Sequence, residues 1–464
     1  MKRYHFFILF IIASFNGMNA QNAFSLEDAV NYAIKNHSAN KLNDINVADA
    51  EQNMRELRSI GLPQLSGKVG YNYFIETPSA PIGDFLTPAI KGILIGTGVA
   101  KDYPEINDLK PREGGTLSFQ QKNNFSAAAN LSWMVFDGSY LVALEAAKGY
   151  KELTHLQTEI TPNQLRNTVT EAYYAVLLAQ KNVATLDSNI ANLKVIRDEL
   201  AAIYKQGLNE KLDVDRIDLS VATLRSAKSN LERSIELMKD LLKFQMQYPA
   251  DQPITLTSTF DEIYQQADIN GSITDAKINM TDRPEYNVLM KTNELLGLDL
   301  KRYKMAYWPT LVLIGSFERT FQSDNIFKPG GLWLPSSLVG AQLSIPIFDG
   351  YDKSAKKQRA RLSIEKNLVT ISDFERGIKL ALTTAQNQYL IAKENIKSRQ
   401  QTLDLANEIF KVIQIKYKQG VGSSLEERQA EADVYAAQNS LLQAQYDLIK
   451  AYFEIEKALG KYNF

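Results

Sequence analysis

Asp213 and Glu426 are carboxylates 213 positions apart, each just beyond a repeated motif, Tyr204-Lys205-Gln206-Gly207 and Tyr417-Lys418-Gln419-Gly420. Two kinds of chemistry suit an acid in that setting. Ser423 and Glu426 form a Ser-x-x-Glu capping box, and an acid in the first turn of a helix complements its dipole. Several copies of the same acid around one constriction would instead favour cations and repel anions. Catalysis is poorly supplied. The chain has no cysteine, which excludes disulfides, thiolate metal sites and a cysteine nucleophile. Beyond the N-terminal stretch only His37 and His155 remain, far apart in sequence, so a histidine triad or metal centre is not expected, nor any cofactor. Lysine plus arginine number 52 against 53 acids, and no basic stripe points to nucleic acid.

The two acids belong to a larger duplication. Phe136-Asp137-Gly138 returns as Phe348-Asp349-Gly350 after 212 positions, and Pro63-Gln64-Leu65 is matched by Pro309-Thr310-Leu311 after 246, which leaves 34 inserted residues between Pro63 and Phe136. Repetition at this period predicts two halves of one interleaved body, neither able to bury its apolar faces alone. The expected organisation is a signal peptide over 1–20, a first repeat over 21–250, a linker or side element over 251–282 and a second repeat over 283–464. Met1-Lys2-Arg3, the apolar residues 6–15 and Ala20 carry the signal reading. That apolar stretch is too short for a membrane span, which needs about 20 residues. Without cysteine there is no lipidated N-terminus, so no lipid anchor is expected.

Each repeat must place its acid at the tip of a helical hairpin. After the cap pair Ser25 and Asp28, helical spacing leads to a second helix over 38–59, which Gly61-Leu62-Pro63 stops. Alternation at Leu65, Gly67, Val69, Tyr71 and Tyr73, then at Phe125, Ala127, Ala129, Leu131 and Trp133, predicts strands at about 65–75 and 124–136. The second repeat predicts strands at about 311–322 and 338–348. Prolines punctuate 77–115, which predicts a long loop. Helical hairpins are expected over about 139–247 and 351–460, with a kink at Thr161-Pro162, because an interior proline costs about 3 kcal/mol. Val434, Ala437, Leu441, Ala444 and Leu448 fall in steps of three and four, the spacing of antiparallel coiled-coil neighbours.

The strands have one apolar and one small or polar face and are rimmed by Tyr71, Tyr73, Trp133, Trp308 and Trp333, as in a bilayer-spanning barrel wall. A soluble sandwich strand looks similar segment by segment, and a periplasmic coiled-coil scaffold or adaptor without a pore is the competing reading. Counting separates them. Four strands cannot close a barrel, and an open edge in lipid leaves backbone groups unpaired at several kcal/mol each. Several chains must therefore share the barrel.

The order helix, strand, strand, long helical hairpin, given twice, with Leu62-Pro63-Gln64-Leu65, the Phe-Asp-Gly pair, Arg283-Pro284-Glu285 and the glycine-centred tips, resembles the TolC family of outer membrane efflux proteins over almost all of the mature chain. The resemblance implies a mainly α fold with membrane β, in which a homotrimer builds a 12-stranded β-barrel continued by a 12-helix α-barrel. It also implies the outer membrane of a Gram-negative bacterium, and partnership with a periplasmic adaptor and an inner-membrane pump of RND or ABC type, in efflux or type I secretion. By the same resemblance Gly207, Leu208, Gly420, Val421 and Gly422 are adaptor-docking tips. Asp213, Glu426, Tyr417 and Tyr204 resemble a periplasmic gate. The arginine expected two residues past the turn glycine is Gly422 here, so the link that would lock the mouth is missing or supplied elsewhere.

Overall fold

Ser25 starts the first helix by reciprocal capping: its hydroxyl accepts from the Asp28 amide at 3.1 Å and the Asp28 carboxylate accepts from the Ser25 amide at 3.3 Å. The computed structural model describes residues 23–81, 86–110, 116–118, 120–207, 210–269, 278–327, 330–419 and 421–461. The expected signal peptide at 1–20 and the tip residues Leu208 and Gly420 lie outside the described residues. The first half contains β1 (Ala23–Phe24), α1 (Leu26–Asn36), α2 (Ser38–Ile60), β2 (Gln64–Tyr73), β3 (Ser79–Pro81), α3 (Leu86–Gly96), β4 (Thr116–Ser118), β5 (Asn123–Phe136), α4 (Gly138–Thr158), α5 (Ile160–Lys205) and α6 (Lys211–Met246). The second contains β6 (Thr255–Leu256), α7 (Phe260–Ile269), α8 (Pro284–Met305), β7 (Thr310–Ser323), β8 (Leu332–Ser344), α9 (Asp352–Lys418) and α10 (Ser424–Leu459).

Proline accounts for the main asymmetry between the helical hairpins. The helical run of the first repeat breaks at Glu159, which leaves Pro162 in the first turn of α5, where a missing amide costs little. The second repeat has no proline there, and α9 runs unbroken for 67 residues.

Two compact units divide the chain. One takes the chain up to Ala50 with Gly149–Glu294 and Ser363–Phe464. Its core joins α1, α5, α6, α7, α9 and α10 through fully buried side chains such as Val30, Val169, Tyr173, Leu242, Leu448 and Ile455. The segment between the repeats is tied in by hydrogen bonds from buried tyrosines. The Tyr173 hydroxyl donates to the Phe24 carbonyl at 2.9 Å in β1, which pairs parallel with β6, and the Tyr389 hydroxyl donates to the Ala267 carbonyl at 2.9 Å in α7.

The other unit, Glu51–Lys148 with Leu295–Leu362, is built on one antiparallel sheet in the order β2-β5-β7-β8. Two expectations are corrected here. The stretch 77–115 is not a bare loop: α3 and two 3-10 turns form within it, and β3 pairs with β4. The apolar residues of 89–95 drive helix formation, and two of the five prolines in the stretch, Pro88 and Pro104, fall in first turns, where they do not break the hydrogen-bond ladder. The last strand is Leu332–Ser344 rather than 338–348. Pro346 removes a ladder donor and ends it early, while Pro335 is tolerated because β8 is an edge strand. Met134, 212 positions before Pro346, is where the β5–β7 register also shifts, so both repeats lose regular pairing at the same place.

Candidate functional site

Register assigns every sheet residue to a face. Tyr71 pairs with Phe125, Phe125 with Phe321, and Phe321 with Trp333, which makes one aromatic row across all four strands at the end far from Gln64. The Phe321 and Trp333 rings lie 5.2 Å apart, and the Tyr71 hydroxyl donates to Asn123 at 2.7 Å. Tyr73 is exposed beside that row. At the opposite end the Trp133 indole donates to the Gly61 carbonyl at 3.1 Å and Trp308 packs on Phe136 at 6.4 Å. Between the two aromatic levels this face carries Leu65, Val69, Leu131, Phe317 and Val339, all exposed. The other face carries Lys68, Asn130, Ser316 and Glu318. That second face also holds Ile314, Leu334 and Leu338, so an exposed apolar band bounded by aromatics stands against a mixed face that carries most of the polar and charged residues of the sheet, as in a membrane barrel wall.

At the hairpin tips, glycine does two different jobs. Gly207 adopts φ +76°, the left-handed conformation that ends α5. Gly422 has no such φ, but a Cβ there would stand 2.8 Å from the Tyr417 amide nitrogen. Any side chain is excluded, which explains why the expected arginine is absent. Val421 is exposed, and its amide donates to the Lys416 carbonyl at 3.0 Å.

The expected gate residues divide. Glu426 is exposed and turns back to the Ser423 amide at 3.4 Å, the capping geometry. Tyr204 is exposed, its carbonyl accepting from Gly207 at 2.8 Å. Tyr417 packs, with Tyr435, against the core formed by Leu193, Leu200, Val214 and Ile217 of α5 and α6. Asp213 is largely covered and lies 3.5 Å from Arg216, whose guanidinium donates to the Ser424 hydroxyl at 2.6 Å. Lys418 joins Glu199 at 2.7 Å. The two hairpins are therefore linked by Arg216 and by Lys418, the first partly buried, the second half-exposed and worth little by itself.

Sequence reasoning missed Glu427 and Glu431. Both are buried, at 4% and 6% exposure, on the face of α10 that meets the other hairpin. Burial is the main cause that raises the Glu427 carboxyl to about 7; Glu431, Asp213 and Glu199 add to it and Lys418 opposes it. Burial also raises Glu431, against a hydrogen bond from the Tyr435 hydroxyl and the charge of Arg428. The signal was present: Glu427 and Ala430 extend backwards the three-four stripe of Val434, Ala437 and Leu441. Arg216 had no comparable signal, because its partner lies on the other hairpin.

Residues 43–237 and 304–461 match the model of the outer membrane efflux protein family. The chain belongs to this family. Members are outer membrane channels for efflux or secretion, spanning into the periplasm, and the chain is such a channel component. Among curated relatives, the toxin and drug export protein A of Aggregatibacter actinomycetemcomitans is 20% identical over 386 residues, covering 82% of this chain and 79% of that protein. The alkaline protease secretion protein AprF of Pseudomonas aeruginosa is 24% identical over 182 residues, 39% of this chain and 37% of AprF. The crystal structure of the outer membrane protein VceC from Vibrio cholerae shares the fold, with a TM-score of 0.66 and 14% identity, covering 94% of this chain and 96% of VceC. No described helix of this efflux protein is long and apolar enough to cross a membrane; its continuous apolar band is a sheet face.

Proposed function

We propose that three copies of this chain assemble into an outer membrane channel-tunnel, a 12-stranded β-barrel continued by a 12-helix α-barrel, that passively conducts substrates from a periplasmic adaptor and an inner-membrane pump to the exterior. One observation carries the reading: the four-stranded sheet ends in β2 and β8, each paired on one side only, and its exposed face is apolar. Such edges are tolerable in lipid only when another subunit pairs with them. Three sheets give twelve strands and a lumen, whereas two would give eight and a filled interior. Gly207, Leu208, Gly420, Val421 and Gly422 would meet the adaptor, and the pump would be of RND or ABC type, as drug and toxin export by the relatives suggests.

Asp213 and Glu426, three of each in the trimer, would ring the periplasmic mouth and select cations. Arg216 and Lys418 supply links that Gly422 cannot, which supports a mouth closed by those contacts in place of the missing arginine. Single-channel recording in lipid tests both levels. The wild-type protein conducts with a preference for cations, and Asp213→Asn with Glu426→Gln lowers that preference severalfold while conductance persists. Unchanged selectivity discards the ring; no conductance even after Arg216→Ala with Lys418→Ala frees the mouth discards the pore in favour of a periplasmic scaffold.

A further inference from the structure

One charged residue stands on the apolar face of the sheet. Arg319 is exposed on β7, directly opposite Ala127 and Pro335, one row from the aromatic line that holds Phe321 and Trp333. No carboxylate occupies its own row or the row on either side of that face among the described residues. The acid nearest in sequence, Glu318, points to the other face because side chains alternate along a strand. Phe317 and Phe321 flank Arg319 along β7, whereas the β5 side presents Ala127 and Ala129. Beyond Ala129 in the next row lies Gly67 on β2, where a Cβ would meet nothing within 4 Å, so the short side chains of Ala127, Ala129 and Gly67 leave a shallow recess on that side of Arg319.

An arginine on a lipid-facing wall costs about 2–4 kcal/mol at mid-bilayer and about 0–1 near the interface. Two residues along a strand advance roughly 7 Å, so Arg319 lies within side-chain reach of the interface that the aromatic row marks. A planar fork with five donors and no acceptor among the described residues matches a phosphate, which can take two parallel hydrogen bonds. The row lies at the end of the sheet opposite the end entered by α2, hence toward the outer leaflet if the barrel stands as proposed above. We infer that Arg319 and the recess beside it form a binding site for the phosphate headgroup of an outer-leaflet lipid, with the acyl chains laid along Gly67 and Ala127. This rests on the barrel reading.

The test is native mass spectrometry of the full-length assembly in detergent, titrated with lipid A or with its dephosphorylated form. Wild type holds lipid A about fivefold more tightly than Arg319→Gln does, the worth of one near-surface cation. Arg319→Lys falls between them, and wild type loses a similar factor with the dephosphorylated lipid. Equal retention by wild type and Arg319→Gln overturns the site. Quenching of Trp333 by brominated lipid, in a Trp133→Phe, Trp308→Phe background, separates this from the barrel reading. Strong quenching with equal retention leaves the wall lipid-facing and removes only the site. Absent quenching removes the lipid-facing wall and the site with it.

Discussion

The first turns of α10 open more readily at pH 8 than at pH 4.5, by about 2–4 kcal/mol, and Glu427→Gln abolishes most of that difference. Glu427 rises from an ordinary 4.5 to about 7 when packed. An acid with a raised folded value binds a proton on packing, so its neutral form is the one the packed tip prefers. Stability of the tip is therefore highest at and below pH 4.5, declines across the window from 4.5 to about 7, and levels above it. Glu431 is shifted in the same direction, whereas Lys418 limits the effect on Glu427. Hydrogen exchange of the amides that follow Ser424, corrected for the intrinsic pH dependence of exchange, measures the opening free energy. A wild-type protein with equal opening free energy at both pH values contradicts the assignment.

Arg283→Ala lowers the stability of the α10 C-terminus by about 2–4 kcal/mol. The guanidinium is buried and donates to the Lys457 carbonyl at 3.0 Å and the Ala458 carbonyl at 2.6 Å, while its Nε approaches Glu285 at 3.9 Å. The Lys457 carbonyl also accepts from the Gly460 amide at 3.2 Å, whereas the Ala458 carbonyl lies past the end of the helical ladder, and a cation there meets the negative end of the helix dipole. Gly460, at φ +69°, turns the chain away just beyond. Alanine takes the guanidinium donor from the buried Ala458 carbonyl and leaves the Lys457 carbonyl only the Gly460 amide. Lysine restores the charge but not the two-pronged geometry, so Arg283→Lys recovers roughly half the loss. Exchange protection of the last α10 turn and the thermal unfolding midpoint both report the effect. If Arg283→Ala unfolds as the wild type does, the capping role is wrong.

Arg283-Pro284-Glu285 was legible in the sequence as part of the family resemblance, but its physical role was not. The carbonyls it serves lie 174 and 175 positions away, and no local pattern encodes such a contact. The same division runs through the molecule. Alternation from Leu65 to Tyr73 marks a strand and its faces unaided, because a period of two has no other use there. The long helices are equally plain from residue types, since α9 lacks both proline and any interrupting turn signal. The end of β8 was missed for a local reason: Ile345-Pro346-Ile347 keeps the apolar alternation while Pro346 withdraws the amide on which pairing depends. Within 77–115 the many prolines concealed helix formation, since a proline in a first turn and a proline in a loop look alike in a sequence.

At the tips, two adjacent acids have different surroundings. Glu426 drew attention through its place in the repeat and its capping box, and it is exposed. Glu427, one residue on, faces the opposite hairpin because 100° of helical rotation separates adjacent side chains. Asp213 and Glu199 of the first hairpin act on it there, a neighbourhood to which only the stripe through Val434 pointed.

The mass of the purified detergent complex tests closure of the sheet most directly. Three chains, each of 52.2 kDa before any processing, in one complex whose dissociation exposes the β2 and β8 amides to exchange, is the predicted result. A stable, water-soluble monomer with those same edge amides already exchanging would contradict it.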